Sequence, residues 1–572
     1  MPYHNRKVYV ACVVAVGFAA ASVSRGAPLV RNADNSGAIY LGAVADSDWG
    51  RPIASGDLDG DGYDEIIVGA SESFGGVTSQ VFVVRGGPGA TTKGVTDLSS
   101  TGADLIISGA AADDNLGSSI ATGDVNGDGV DDLLLCASNA TFSSLTSAGI
   151  AYVLFGGPAF FNSATRSMAV AADWDVRIVG PVAFGDMGGS NVFGGADTHA
   201  AAIGNLNGDV YGDMALGVHL ADGNQSQNGR VYIVFGEAFV SGTTQFLSTP
   251  VFIDVVLFGQ GELDEFGDYV TIGDITGDGI DELIVPNHFY SQGLFTSEGA
   301  VLVFRGRASW PSSINLASAN ADITLLGDRN YDSLGEAAAV GDFNSDGVMD
   351  LASGAPGVDL GAQNTSFGDG YVYGLMGSAA FQTGTHTIDY ASATPDFLIT
   401  GEFRENLGVE LSAGDFDGDG VDDIAAVQRF AGPQTNGTID VLFGRSFTPG
   451  ETFAAGIDTD VRIIGSANDR IGFSIGTADT DSNGVDEVIF GTPFNNGAFP
   501  DTYGTAYVAN LITGDFDADG DHDLADFAAM QRCFDSPVDP LANACYVFDA
   551  VTDGVIDLAD QSSFIDQVTG PQ

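Results

Sequence analysis

The chain has 572 residues and carries 77 Asp plus Glu against 19 Lys plus Arg, a formal net charge of −58. Nucleic acid and anionic membranes repel a chain this acidic, which excludes both as main partners. An apolar fraction of 44% with 37 phenylalanines argues against disorder, and the length suits a repeat array with an appendage better than a single core.

Residues 1–26 read as a secretory signal. Arg6 and Lys7 precede an apolar run from Val8 to Ala21, followed by the small residues Ser22, Ser24, Gly26 and Ala27. The run is short for a membrane span, with a retained N-terminal anchor as the alternative. Cleavage is expected between Ala21 and Ala27, and Cys12 leaves with the signal. The mature protein is then expected to be secreted or held at the cell surface, with no membrane insertion.

The first β run is Ala38-Ile39-Tyr40-Leu41-Gly42. It is followed by Asp57-Leu58-Asp59-Gly60-Asp61-Gly62-Tyr63-Asp64-Glu65 and the apolar run Ile66-Ile67-Val68. Acids at positions 1, 3, 5 and 9 of this nine-residue stretch can converge on one hard cation, and the glycine at position 6 permits a left-handed turn. An EF-hand would carry an acid at position 12 and then a helix. Val68 stands there instead, inside a β-type run, so the stretch reads as a calcium loop within a β-hairpin.

The loop recurs roughly 70 residues apart, and such repeats point to a repeat architecture. Loop 2 is Asp124, Asn126, Asp128 and Asp132. Loop 3 is Asn205, Asn207, Asp209 and Asp213. Loop 4 is Asp274, Thr276, Asp278 and Glu282. Loop 5 is Asp342, Asn344, Asp346 and Asp350, loop 6 is Asp415, Asp417, Asp419 and Asp423, and loop 7 is Asp479, Asp481, Asn483 and Glu487. Loops 1 and 6, with four acids each, are expected to bind calcium tightest. Thr276 weakens loop 4. Loop 3 has Val210 where glycine is expected, which leaves its occupancy open. The acids at position 8 (Asp64, Asp131, Asp281, Asp422, Asp486) are expected to point outward.

Around each loop the unit repeats its strands. An Ile-X-Gly strand, as in Val461-Arg462-Ile463-Ile464-Gly465, precedes a Phe-Gly or Leu-Gly pair, as in Phe266-Gly267 and Leu407-Gly408. The strand after the loop ends in a small-residue turn, as in Gly354-Ala355-Pro356. A further strand such as Ala151-Tyr152-Val153-Leu154-Phe155 closes the unit. Four short strands per unit, seven times over, predict an all-β, seven-bladed β-propeller, since closing the ring removes free edges. Unit 7 ends near Leu511 without its Ile-X-Gly strand. Residues 38–42 supply that strand, so the N-terminal run is expected to complete the last blade.

The Phe-Gly pair, the Asp-X-Asp-X-Asp-Gly loop and Gly-Ala-Pro together resemble the FG-GAP repeat of the integrin alpha-chain head, over residues about 38–512. The resemblance implies calcium in hairpin loops on one face, with ligands meeting the opposite face or the rim. No inserted adhesion domain, integrin leg or transmembrane helix accompanies the repeats.

From Gly514 the period breaks. Asp515, Asp517, Asp519, Asp523 and Asp526 form a loop with an acid at position 12, followed by Phe527, Met530 and Phe534 at helical spacing. Asp549, Asp553, Asp557 and Asp560 repeat it. Residues 514–572 therefore resemble a dockerin, a small α-helical domain of duplicated calcium loop–helix units, which implies a cohesin-like scaffold partner. Val551 at position 3 and Leu-Ala at positions 10 and 11 depart from the docking pattern, and a calcium-stapled stability cap is the plainer reading. Cys533 and Cys545 are a plausible disulfide in an exported chain, while Cys136 reads as a buried apolar residue.

No catalytic set stands out. The six histidines show no zinc-ligand spacing, and there is no Gly-X-Ser-X-Gly elbow or phosphate-cradling loop. The expected cofactor is Ca²⁺, in about six to nine sites. Seven ions in the repeat loops would leave a charge of about −44. Aromatic residues in the variable loops (Phe74, Phe142, Phe289, Tyr290, Phe295, Phe367, Phe430, Phe494, Phe499, Tyr503) are candidates for recognition, although packing between blades is the commoner fate of such residues. The sequence points to a monomeric extracellular recognition or adhesion module for protein or glycan. The alternative is a polysaccharide hydrolase or lyase, or its accessory subunit.

Overall fold

A computed structural model describes residues 29–32, 38–41 and 48–511, apart from 72–75, 77, 89, 91–93, 99–101, 190–198, 223–226, 250–252, 263, 292–296, 329–330, 358–367, 403–404, 432–435, 466–469 and 493–503. The leader and the dockerin-like tail, with Cys533, Cys545 and all nine of its candidate ligands, lie outside the described residues.

The described strands form seven sheets, each with four antiparallel strands of its own. In blade 1 these are Asp48–Gly56, Glu65–Ser71, Gln80–Val84 and Leu105–Ser108, counted from the axis outward. The innermost strands of the others are Leu116–Gly123, Ala201–Gly204, Thr271–Gly273, Ala338–Gly341, Leu407–Gly414 and Ser474–Ala478. Each innermost strand touches those of the blades on either side, and the contact between blades 7 and 1 closes the ring.

Closure uses the N-terminus as the repeat phase predicts. Ala38–Leu41 pairs antiparallel with Thr505–Ala509 and is the fourth strand of blade 7. Each sheet has a fifth strand, lent by the next unit along the chain. Thr165–Ser167 leaves blade 2 to pair parallel with Leu105–Ser108 of blade 1, and the chain then returns to make Val176–Val179. The same strap recurs around the ring. At the closure Leu29–Asn32 straps blade 6 through Val461–Ile464, and Gly94–Asp97 straps blade 7 through Ala38–Leu41.

The apolar core lies between sheets. One layer joins Ile67, Val81 and Leu105 of blade 1 to Leu133, Leu135 and Tyr152 of blade 2. The closing layer joins Ile66, Val68 and Phe82 of blade 1 to Ile489 and Val508 of blade 7, with Ala38 and Tyr40 from the N-terminal strand. Cys136 is a buried free thiol in the layer between blades 2 and 3.

Sheets pack this closely because their glycines meet. A Cβ on Gly354 of blade 5 would lie 1.9 Å from the carbonyl oxygen of Gly408 in blade 6, and Gly408 has φ +88°. Gly491 and Gly50 repeat the contact across the closing seam, again at 1.9 Å. The Phe-Gly pair and the Gly-Ala-Pro turn are two halves of one backbone-to-backbone joint.

Candidate metal centres

Each acidic loop joins the innermost strand of its blade to the second strand, so all seven sit on one face of the ring. Position 1 organises the turn. The Asp57 carboxylate accepts the N–H groups of Gly60, Asp61 and Gly62 at 2.8, 3.1 and 3.0 Å. Asp124, Asp274 and Asp415 repeat these three bonds, and Asp342 and Asp479 accept from positions 5 and 6. Position 5 accepts the N–H of position 7 in every loop, as Asp61 does from Tyr63 at 3.1 Å. Position 6 is left-handed wherever it is glycine, with φ +89° at Gly62 and +82° at Gly420.

Position 9 opens the second strand and is buried in all seven loops: Glu65, Asp132, Asp213, Glu282, Asp350, Asp423 and Glu487. Burial, reinforced by neighbouring acids, pushes these carboxyls far up: Asp132, Asp213 and Asp350 to about 7, Glu65 and Glu282 to about 8, and Asp423 to about 9. Glu487 is raised well above its ordinary value for the same reason. Each accepts backbone N–H bonds, as Glu65 does from Leu58 and Asp423 from Phe416 and Gly444. Those bonds lower the values only in part.

Among the described residues three sets of acids converge with ligand atoms within 4.8 Å of one another: Asp57, Asp59 and Asp61; Asp274, Asp278 and Glu282; Asp415, Asp417 and Asp423. They belong to loops 1, 4 and 6. In loops 1 and 7 buried oxygens, Asp59 Oδ1 and Glu487 Oε1, have no hydrogen-bond partner. Massed carboxylates, orphaned oxygens and pKa values raised by burial fit a hard divalent cation, whose charge offsets all three. Thr276, for its part, lies within loop 4's set, with Oγ1 3.5 Å from Asp274 and 3.4 Å from Glu282.

The other loops are drawn differently. Asn126 donates its amide to both oxygens of Asp132 at 2.9 and 3.1 Å, and Asn344 donates to Asp350 at 3.0 Å. A half-turn of either amide presents its oxygen, a calcium ligand, in place of the nitrogen. Loop 3 is rebuilt. Val210 does not take the left-handed backbone and is 77% exposed. Asn205 instead donates its amide to the carbonyl of Asp209 at 2.8 Å, closing the turn on itself.

The expectation for position 8 is corrected. These acids point between blades, not outward. Asp281 accepts the N–H of Asn205 at 2.8 Å, Asp422 that of Asp342 at 2.7 Å, Asp486 that of Asp415 at 2.9 Å and Asp64 that of Asp479 at 3.1 Å. Asp131 takes the same bond from Asp57. Burial raises Asp131 and Asp486 to about 6. Position 8 lies at the seam, just before the second strand, where the N–H that it accepts belongs to the neighbouring loop.

The opposite face carries features that spacing does not reveal. His199 precedes the innermost strand of blade 3 and Glu410 lies on that of blade 6, yet His199 Nε2 is 3.5 Å from the Glu410 carboxylate. Blades 3 and 6 are not neighbours, so this contact crosses the axis. Tyr269 of blade 4 packs its ring 4.9 Å from the imidazole. At three seams, 3/4, 4/5 and 6/7, a residue just past the second strand meets the next blade: His219 faces Asp268, His288 faces Glu336, and the Arg429 guanidinium lies 4.4 Å over Phe473. Of the recognition candidates, Tyr290 is buried and donates to Gln260 at 3.1 Å. Phe142 packs on Phe246 at 5.4 Å, Phe430 is half-buried, and Phe289 is 40% exposed beside His288. Phe74, Phe295, Phe367, Phe494, Phe499 and Tyr503 lie outside the described residues.

A closed ring of seven strapped sheets, with acidic hairpin loops on one face, defines a β-propeller. Residues 49–84, 116–154 and 334–374 match the FG-GAP repeat family, and they fall in blades 1, 2 and 5. The chain thus carries FG-GAP repeats in a seven-bladed propeller. It is similar to a phosphatidylinositol-glycan-specific phospholipase D of Dictyostelium discoideum, 24% identical over 305 residues that make up 50% of this chain and 29% of that protein. The Mus musculus enzyme of the same name is 36% identical over 163 residues, 28% of this chain and 18% of that protein. The chain therefore spans less than a third of the length of these relatives. Among solved structures, the rhamnogalacturonan lyase YesW superposes with a TM-score of 0.36 at 12% identity, over 81% of this chain and 72% of that one. That superposition is too loose to carry an argument. Among the described residues no helix is long and apolar enough to cross a membrane.

Proposed function

We propose that this protein is a secreted, calcium-stiffened propeller that recognises a protein or glycan outside the cell and does no chemistry of its own. The observation that carries the reading is the buried position-9 carboxylate, present in all seven loops and raised by burial. A fold keeps such groups charged only beside a cation. Asp57, Asp59, Asp61 and Glu65 would hold one Ca²⁺, and the corresponding side chains of the other loops would hold theirs. Calcium's role is structural: it fixes hairpins that have little apolar surface, and it couples folding to the ion.

Recognition is assigned to the opposite face, where the loops vary in length and composition and where Phe289 is exposed. The leader at residues 1–26 supports export. The dockerin-like tail, with Asp515 to Asp560 as its ligands, would attach the propeller to a scaffold. The phospholipase D relatives share only a fraction of their length with this chain, so their activity is not carried over.

A glycan array probed with the full chain in calcium and in EGTA tests this. Binding that calcium supports, that EGTA abolishes and that releases no reducing sugar is expected. Release of reducing sugar from polysaccharide overturns the reading in favour of an enzyme.

A further inference from the structure

The acidic loops touch one another. At all seven seams the backbone N–H of position 8 donates to the carbonyl of position 1 in the preceding loop, from 2.7 Å at Gly212 with Asp124 to 3.3 Å at Asp131 with Asp57. At five seams the position-8 carboxylate returns a second bond, accepting the N–H of that same position-1 residue. The joint is then a two-point clamp on the residue whose side chain organises the loop. At the other two seams the clamp is single. Loop 3 has Gly212 at position 8 and loop 5 has Met349, neither with a carboxylate. There the preceding glycine meets an apolar side chain and no carboxylate: Gly123 faces Ile203, and Gly273 faces Val340, whereas Gly204 meets both Ile272 and the Asp281 carboxylate.

We infer that the position-8 carboxylates link calcium occupancy between neighbouring loops, and that Gly212 and Met349 divide the ring into two cooperative arcs. This rests on the calcium reading above. Loops 5, 6, 7, 1 and 2 form one arc, joined by Asp422, Asp486, Asp64 and Asp131. Loops 3 and 4 form the other, joined by Asp281. The physical basis is adjacency. Position 8 is covalently next to position 9, so an ion that fixes position 9 of one loop also fixes position 8. Through the clamp it orders position 1 of the loop before. The second ion then binds a turn already held, and the coupling is reciprocal.

The test is hydrogen–deuterium exchange of the full chain across a calcium titration, read separately on peptides that cover each loop. In the wild type the protection midpoints of loops 5, 6, 7, 1 and 2 should coincide and differ from those of loops 3 and 4. Asp486→Ala should move loop 6 to higher calcium by about fivefold or more while leaving loops 3 and 4 in place. Met349→Asp, which adds a clamp, should draw loop 4 toward the midpoint of loop 5; if Asp486→Ala does not fold, this variant and Asp422→Ala carry the test. Calcium protection in the wild type with midpoints unmoved in these variants overturns the coupling alone. No calcium protection of any loop in the wild type overturns the metal reading and the coupling with it.

Discussion

The two faces of the ring solve the same problem in opposite ways. On the face of the acidic loops, five of seven seams are bridged by one device, a position-8 carboxylate on a backbone N–H. On the other face three of the seams hold a histidine and an aspartate, a histidine and a glutamate, and an arginine on a phenylalanine. A repeated requirement, closing a nine-residue acidic turn on the carboxylate of its first residue, leaves little freedom in side-chain choice. Where the only requirement is that neighbours fit, each seam can be filled differently, and differences are what recognition needs.

The largest test of that contrast is to remove calcium. Each site filled at 100 times its dissociation constant contributes about 2.7 kcal/mol, so several sites together should raise the melting temperature by more than about 10 °C over the EGTA-treated protein. An unmoved melting temperature defeats the metal reading.

Next in size is Asp423→Asn, at the buried position 9 of loop 6. In calcium it should cost about 2–3 kcal/mol, seen as a lower melting temperature. In EGTA the cost should vanish, because the variant removes a carboxyl that burial pushes up to about 9. Equal losses in both buffers would make the residue merely structural.

A third test is pH. Without metal the folded chain keeps protons on Asp132, Glu65 and Asp423 up to about pH 7, 8 and 9, whereas the unfolded chain releases them near 3.8 for Asp and 4.5 for Glu. The folded state binds more protons across that window, so metal-free stability should fall as pH rises from about 4 to about 9. In saturating calcium the carboxylates are already ionised when folded, and the fall should disappear. Denaturant midpoints at pH 5.5 and pH 8, with and without EGTA, measure both slopes; equal slopes contradict the prediction.

The smallest effect on stability belongs to the opposite face. Phe289→Ala should change melting by less than about 0.5 kcal/mol equivalent yet weaken ligand binding on the array. Unchanged binding removes Phe289 from the recognition surface.

Much of the fold is legible in the sequence because its signals are local and repeated. The acids of loop 1 announce a turn, and the apolar runs beside them announce strands. The orphan copy Ala38-Ile39-Tyr40-Leu41 even discloses the closure. The straps are not legible. Thr165–Ser167 and Ser313–Asn315 are three residues each, too short for alternation to register, and their partners lie in a neighbouring blade. The clamp is missed for a related reason: Asp422 looks like any surface acid until Asp342 of the preceding sheet stands beside it. Likewise nothing in spacing brings His199 to Glu410, because only the closed ring sets blades 3 and 6 face to face across the axis.

The N-terminal strands have a consequence for biosynthesis. Leu29–Asn32 is made before every other described strand, yet its partner is Val461–Ile464; Ala38–Leu41 meets Gly94–Asp97 early but waits for Thr505–Ala509 to join its blade. At about 5–20 residues per second, Leu29–Asn32 waits on the order of a minute before it can pair. Throughout that interval its open edge must be shielded from other chains, and the wheel gains its last spoke only when its final sheet has been made.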